Sequence, residues 1–97
     1  MSAISSARLT VFVHGEVQGV GFRWWTRARA LELGLAGYAA NRADGRVEVV
    51  AEGRPEQVRL LLELLGEMPS TAGRPGRVEV LVPHWGEARG ESGFFRR

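Results

Sequence analysis

The chain has 97 residues, a formal net charge of +2, 44% apolar residues and no cysteine. That length supports one modest core in a single domain, and the missing thiols exclude disulfides, a thiolate nucleophile and any cysteine metal site. Every basic side chain is an arginine, so an anion bound here meets guanidinium or backbone N–H groups and never a lysine amine.

"MSAISSA" has neither a basic n-region nor an apolar h-region. It reads as a short flexible lead over residues 1–7, with a single domain over 8–97. No run of about eighteen apolar residues occurs, so no membrane-spanning helix is expected. "RLTVFVHG" alternates and is β-branched, which predicts a strand over Arg8–His14. A glycine-rich loop, Gly15 to Gly21, follows. A helix is expected from Phe22 to Leu33, stopped at Gly34. Phe22, Thr26, Ala30 and Leu33 lie along one stripe, with Trp24, Ala28 and Leu31 on nearly the opposite side. Trp24 reads as a surface aromatic, with a self-association patch as the sharper reading.

"AGYAANR" predicts a weak strand, because alanine is a poor strand former. "ADG" predicts a hairpin turn and "RVEVVAEG" a strand. Pro55 suits a first helical position, and a helix is expected to about Gly66 with Val58, Leu61, Leu62 and Leu65 on its apolar face. "EMPSTAGRPG" is a loop. "RVEVLVPH" is the next strand, "WGEARGESG" a loop, and "FFRR" a short fifth strand. The order β-α-β-β-α-β is that of the ferredoxin-like α+β sandwich, an antiparallel sheet with both helices on one face. The fold alone assigns no function.

A strand, a glycine-rich loop and a helix start make an anion site for a physical reason. Glycines let successive N–H groups turn toward one point, and the helix N-terminus adds free donors and a positive dipole end. Arg23 lies in the first helical turn, where its planar fork can grip two phosphate oxygens. No Gly-Lys-Ser/Thr follows, so this is not a Walker A loop, and G-x-G-x-x-G fails at its last position. His14 and His84 are far apart and Asp44 is the only aspartate. No metal site and no cofactor are expected.

"VHGEVQGVGFR" resembles the first signature of the acylphosphatases, V-x-G-x-V-Q-G-V-x-F-R, and "LGLAGYAANRADGRVEVVAEG" resembles their second, L-G-L-x-G-W-V-x-N-x-x-D-G-x-V-E. The resemblance is strong over Leu9–Gly53 and weaker to the terminal "FFRR". It implies the same fold and metal-free hydrolysis of the carboxyl–phosphate bond of acyl phosphates. By the motif, the catalytic residues are Arg23 and Asn41. The phosphate cradle is Gly15, Glu16, Val17, Gln18, Gly19 and Val20 with Arg23, the Gln18 side chain stabilising the loop. Tyr38 and Ala39 stand where the family has tryptophan and valine, and the loop over 67–76 is longer than the family's. Arg42, beside Asn41, is expected to add positive charge that favours a substrate with a second anionic group. The partner expected is a small acyl phosphate, with no nucleic acid and no membrane, for a cytoplasmic monomer.

Two alternatives stay open on the sequence. One is a non-catalytic phosphate- or RNA-binding module of the same fold, although the strands lack the aromatic spacing of an RNA-recognition motif. The other is a role like that of the acylphosphatase-like domains at the front of larger maturation enzymes that handle carbamoyl phosphate.

Overall fold

The computed structural model describes residues 6–97. Residues 1–5, most of the expected lead, lie outside the described residues, and Ala7 already belongs to the first strand. The elements in chain order are β1 (Ala7–Glu16), α1 (Phe22–Glu32), β2 (Ala36–Asn41), β3 (Val47–Gly53), α2 (Pro55–Gly66), β4 (Arg77–Glu87) and β5 (Phe94–Arg96). They form one five-stranded sheet of order β4-β1-β3-β2-β5.

The four long strands pair antiparallel, as the element order predicts. β5 pairs parallel to β2, so the complete sheet is mixed. The reason is the route of the chain. After β4 the chain crosses the ends of the strands before β5 runs alongside the free edge of β2, where Gly37 N donates to Gly93 O and Arg97 N to Ala39 O. β4 extends past His84 to Glu87 because its partner β1 is equally long, the pairing reaching Ala7 with Glu87. Pro83 is tolerated there because β4 is an edge strand.

Alternation along β1 and β3 sends Leu9, Val11, Val13, Val47, Val49 and Ala51 into one core. From α2 that core receives Val58, Leu61 and Leu65. From α1 it receives Phe22, Trp25, Thr26 and Ala30. Each large apolar side chain buried this way stabilises the fold by about 1.5–3 kcal/mol. Trp25 is the core residue that the expected stripe omits. It sits one turn from Phe22 on the same face, and its Nε1 donates to Ala72 O at 2.7 Å. That bond ties the loop over 67–76 to α1. Thr26 is buried without penalty because its hydroxyl donates to Phe22 O at 2.9 Å.

At one end of the sheet, Glu52 closes β3 and Arg8 opens β1. Both are buried, with Arg8 Nη1 at 2.6 Å from Glu52 Oε2 and 3.0 Å from Glu91 Oε2. Glu52 also accepts the backbone N–H groups of Arg89, Gly90 and Glu91 at 2.7, 3.1 and 3.0 Å. Burial alone would raise its pKa. The N–H groups and the Arg8 guanidinium outweigh that and hold the carboxyl below the usual carboxylate range. This clasp fixes the crossing segment that delivers β5 to β2.

Candidate active site

The other end of the sheet carries the glycine loop. β1 ends at Glu16, and only Val17 to Gly21 separate it from α1. Val17 is buried and anchors the loop, whereas Glu16, Gly19, Val20 and Gly21 are exposed. Gly21 caps α1 in a left-handed conformation, φ 87°, and supplies no side chain to the first-turn N–H groups. Those donors are left for a ligand. Gly15 has a different task. At φ 138° it sits at an irregularity in the pairing with β4, and a Cβ there would lie 2.1 Å from Arg77 O. Of the cradle residues, Gly15 therefore shapes the strand end on which the loop stands.

Gln18 braces the loop from within. Its Nε2 donates to Arg42 O at 2.7 Å and to Arg46 O at 2.9 Å. Both acceptors belong to the β2–β3 hairpin. Inside that hairpin, Arg42 N donates to Arg46 O, and Asp44 Oδ1 accepts from Arg46 N. The Arg46 backbone N–H, with its guanidinium, holds the Asp44 carboxyl below the usual range. The hairpin is therefore a fixed object, and one glutamine side chain couples it to the cradle.

Asn41 is the last residue of β2, just before this hairpin. Strand alternation puts it on the same face as Gly37 and Ala39, the face that carries the helices. Its side chain is exposed and has no hydrogen-bond partner among the described residues. Its main-chain N donates to Arg97 O at 3.3 Å, and Arg23 Nη1 donates to the same oxygen. The structure thus gathers Arg23 of α1 and Asn41 of β2 around one oxygen beside β5. Arg23 is half-buried, and a guanidinium has five N–H donors, so most of its fork remains available.

Beside the loop is a pocket of about 210 Å³, lined by Val17, Gly19 and Gly21 of the loop, Phe22, Arg23 and Trp24 of α1, and Arg96 of β5. Trp24 is exposed, and the Arg96 guanidinium lies 3.9 Å above its ring. Sequence reasoning named neither as a site residue. Trp24 reads as a surface aromatic from its position on the helix, and nothing in "FFRR" signals that Arg96 returns to the first turn of α1. A larger hollow of about 430 Å³, lined in part by Gly34, Arg54 and Gln57, lies at the other end of α1, away from the loop. Arg42, expected to add free positive charge, is ion-paired to Glu48 at 3.2 Å. His14 stands half-buried on β1, and His84 packs edge-on against Phe12 at 6.2 Å between ring centroids.

Comparison with known proteins agrees with this geometry. The acylphosphatase family model matches residues 9–95. A protein named acylphosphatase from Corynebacterium efficiens is 58% identical over 97 residues, covering 100% of this chain and 98% of its own. The structure of an acylphosphatase from Coxiella burnetii superposes with a TM-score of 0.84 at 33% identity, covering 96% of this chain and 94% of that one. A full-length HypF structure superposes at TM-score 0.85, but at 20% identity and over 12% of its length, a likeness of fold alone. The chain belongs to the acylphosphatase family.

Proposed function

We propose that this protein hydrolyses acyl phosphates to a carboxylate and inorganic phosphate, with residues 8–97 acting as one acylphosphatase-like domain. The observation that carries the reading is the open N-terminus of α1, uncapped by any side chain and flanked by Arg23, in a chain whose full-length relatives at 55–58% identity are named acylphosphatase. The HypF likeness spans a small fraction of that protein and supplies no competing activity.

The chemistry follows from the leaving group. The carboxylate released from an acyl phosphate is already a stable anion, so no general acid is required. Phosphoryl transfer then needs positioning and charge stabilisation. Main-chain N–H groups over Glu16 to Val20, carried on the strand end that Gly15 shapes, and the Arg23 fork hold the nonbridging phosphate oxygens. These donors are fixed before substrate arrives, so they stabilise charge developing in the transition state at little reorganisation cost. The Asn41 amide orients a water by accepting a hydrogen bond from it through the carbonyl oxygen. The water oxygen bonds to phosphorus as the bond from phosphorus to the carboxylate oxygen breaks. The water's proton passes to the phosphate. Arg97 O, shared by Arg23 and the Asn41 main chain, keeps the two residues in register.

The reading takes no metal and no cofactor, a small-molecule substrate, and a monomer. Among the described residues no helix is long and apolar enough to cross a membrane. The absence of cysteine suits the reducing cytoplasm, where we place the protein. The test is hydrolysis of benzoyl phosphate in the presence of a chelator, with wild type and Asn41→Ala. Wild type turns over, and Asn41→Ala loses about 100-fold in kcat with KM little changed, the size of effect that a misplaced reactant produces. A folded wild type without turnover would end the enzyme reading in favour of a phosphate-binding module.

A further inference from the structure

The hydrolysis just described uses one guanidinium, yet the pocket holds two. Arg23 and Arg96 both line it, and none of its lining residues is acidic. Arg42 is ion-paired to Glu48 and Arg46 to Asp44. Arg96 makes no ion pair among the described residues. Its position is nonetheless defined. Its backbone pairs with Ala39 of β2, and its guanidinium is stacked 3.9 Å above the exposed Trp24 ring.

We infer that Arg96 is a specificity-determining residue that receives a carboxylate at the far end of the substrate's acyl chain, with Trp24 as the platform that holds it. The preferred substrates are then short acyl phosphates of dicarboxylic acids. This deepens the hydrolase reading and rests on it. The physical case has three parts. A planar fork matches a carboxylate with two parallel hydrogen bonds. Stacking on the indole restricts the side chain before binding, so less ordering is required when the ligand arrives. Arg96 is exposed and lines the same pocket as Arg23, so its fork is open to an anionic group of the substrate. The transferring phosphate is held by Arg23 and the loop, which leaves Arg96 for a second anion. Arg42 is paired with Glu48 and does not line the pocket.

The experiment compares kcat/KM for acetyl phosphate and succinyl phosphate, which differ by the distal carboxylate and its linker. Calorimetry on two non-hydrolysable phosphonates, acetonylphosphonate and 4-oxo-5-phosphonopentanoate, gives the same comparison without turnover. Wild type favours the carboxylated member of each pair by about tenfold or more, the scale of one charge-assisted hydrogen bond. In Arg96→Gln both ratios fall toward one. Arg96→Lys keeps part of the preference because the charge remains while the fork is lost. Trp24→Leu, which leaves the charge but removes the platform, lowers the preference less than Arg96→Gln. A wild type without the preference, or an Arg96→Gln variant that keeps it, overturns the assignment. Selective binding of the carboxylated phosphonate without turnover of either acyl phosphate supports Arg96 and defeats the hydrolase reading. Turnover of both without preference does the opposite.

Discussion

Two ends of one sheet bring backbone N–H groups and an arginine together. At one end the N–H groups of Arg89, Gly90 and Glu91 and the Arg8 side chain surround Glu52. At the other, the glycine loop and the start of α1 stand beside Arg23, which donates to Arg97 O, and no Asp or Glu side chain lines the pocket. The parts are alike, and the difference lies in who supplies the negative charge. Where the protein supplies it, the donors are satisfied internally and the energy goes into folding. Where it does not, the first-turn N–H groups of α1 have no side-chain cap, and the proposed hydrolysis uses them. The two ends are also mechanically joined. The Glu52 clasp fixes the segment that leads into β5, and β5 brings Arg96 and Arg97 O to the loop.

Exchanging the fates of the two ends is the sharpest way to break this comparison. Arg23→Ala should lower kcat by about 10²–10³-fold, as loss of one transition-state donor does. The urea midpoint should scarcely move, because the side chain is half-exposed. A large loss of stability would make Arg23 a second clasp. Glu52→Ala should do the reverse. It leaves the three N–H groups without their acceptor and Arg8 with Glu91 alone, and equilibrium unfolding should show a loss of about 3 kcal/mol. Activity of the folded fraction should stay within about threefold by this account, since β5 keeps its own bonds to β2.

A smaller effect separates two glycines within the open end. Gly15→Ala drives a Cβ into Arg77 O, whereas at Gly19, φ 74°, nothing lies within 4 Å. Gly19→Ala should cost about 1 kcal/mol of backbone strain, and Gly15→Ala about 3 kcal/mol from strain and collision together. Thermal melts of the two variants decide it, and equal melting temperatures would deny the irregularity at Gly15 its structural role. The smallest effect concerns acid. The folded pKa of Glu52 lies below its unfolded value, so its contribution is complete above the unfolded value of about 4.3 and fades as pH falls through the folded one. The denaturation midpoint of wild type should drop over that acidic range, and that of Glu52→Gln should drop less steeply.

The sequence was most legible where the cause is local. β1 and β3 alternate, α2 has a clean apolar stripe opened by Pro55, and the glycine loop announces itself between a strand and a helix. Arg23 and Asn41 were singled out through the family motifs, which cover the loop and β2. Trp25 escaped because two adjacent tryptophans offer two helix faces, and only the opposing loop at Ala72 decides which one is buried. The Arg42 ion pair was out of reach for a similar reason. The pairing with Glu48 depends on the β2–β3 hairpin, a contact that composition does not reveal.

What the sequence by itself determined is therefore the set of elements, their order, and the motif that carries the family. Periodicity, turn chemistry and helix signals act within a few residues, so one chain suffices to read them. The tertiary structure alone decided that β5 runs parallel beside β2 and that Arg97 O joins Arg23 to Asn41. It alone stacked Arg96 on Trp24 and closed the three N–H groups and Arg8 around Glu52. Each of those contacts links residues far apart in the chain, where the partner is chosen by how the whole sheet and its crossing segment pack.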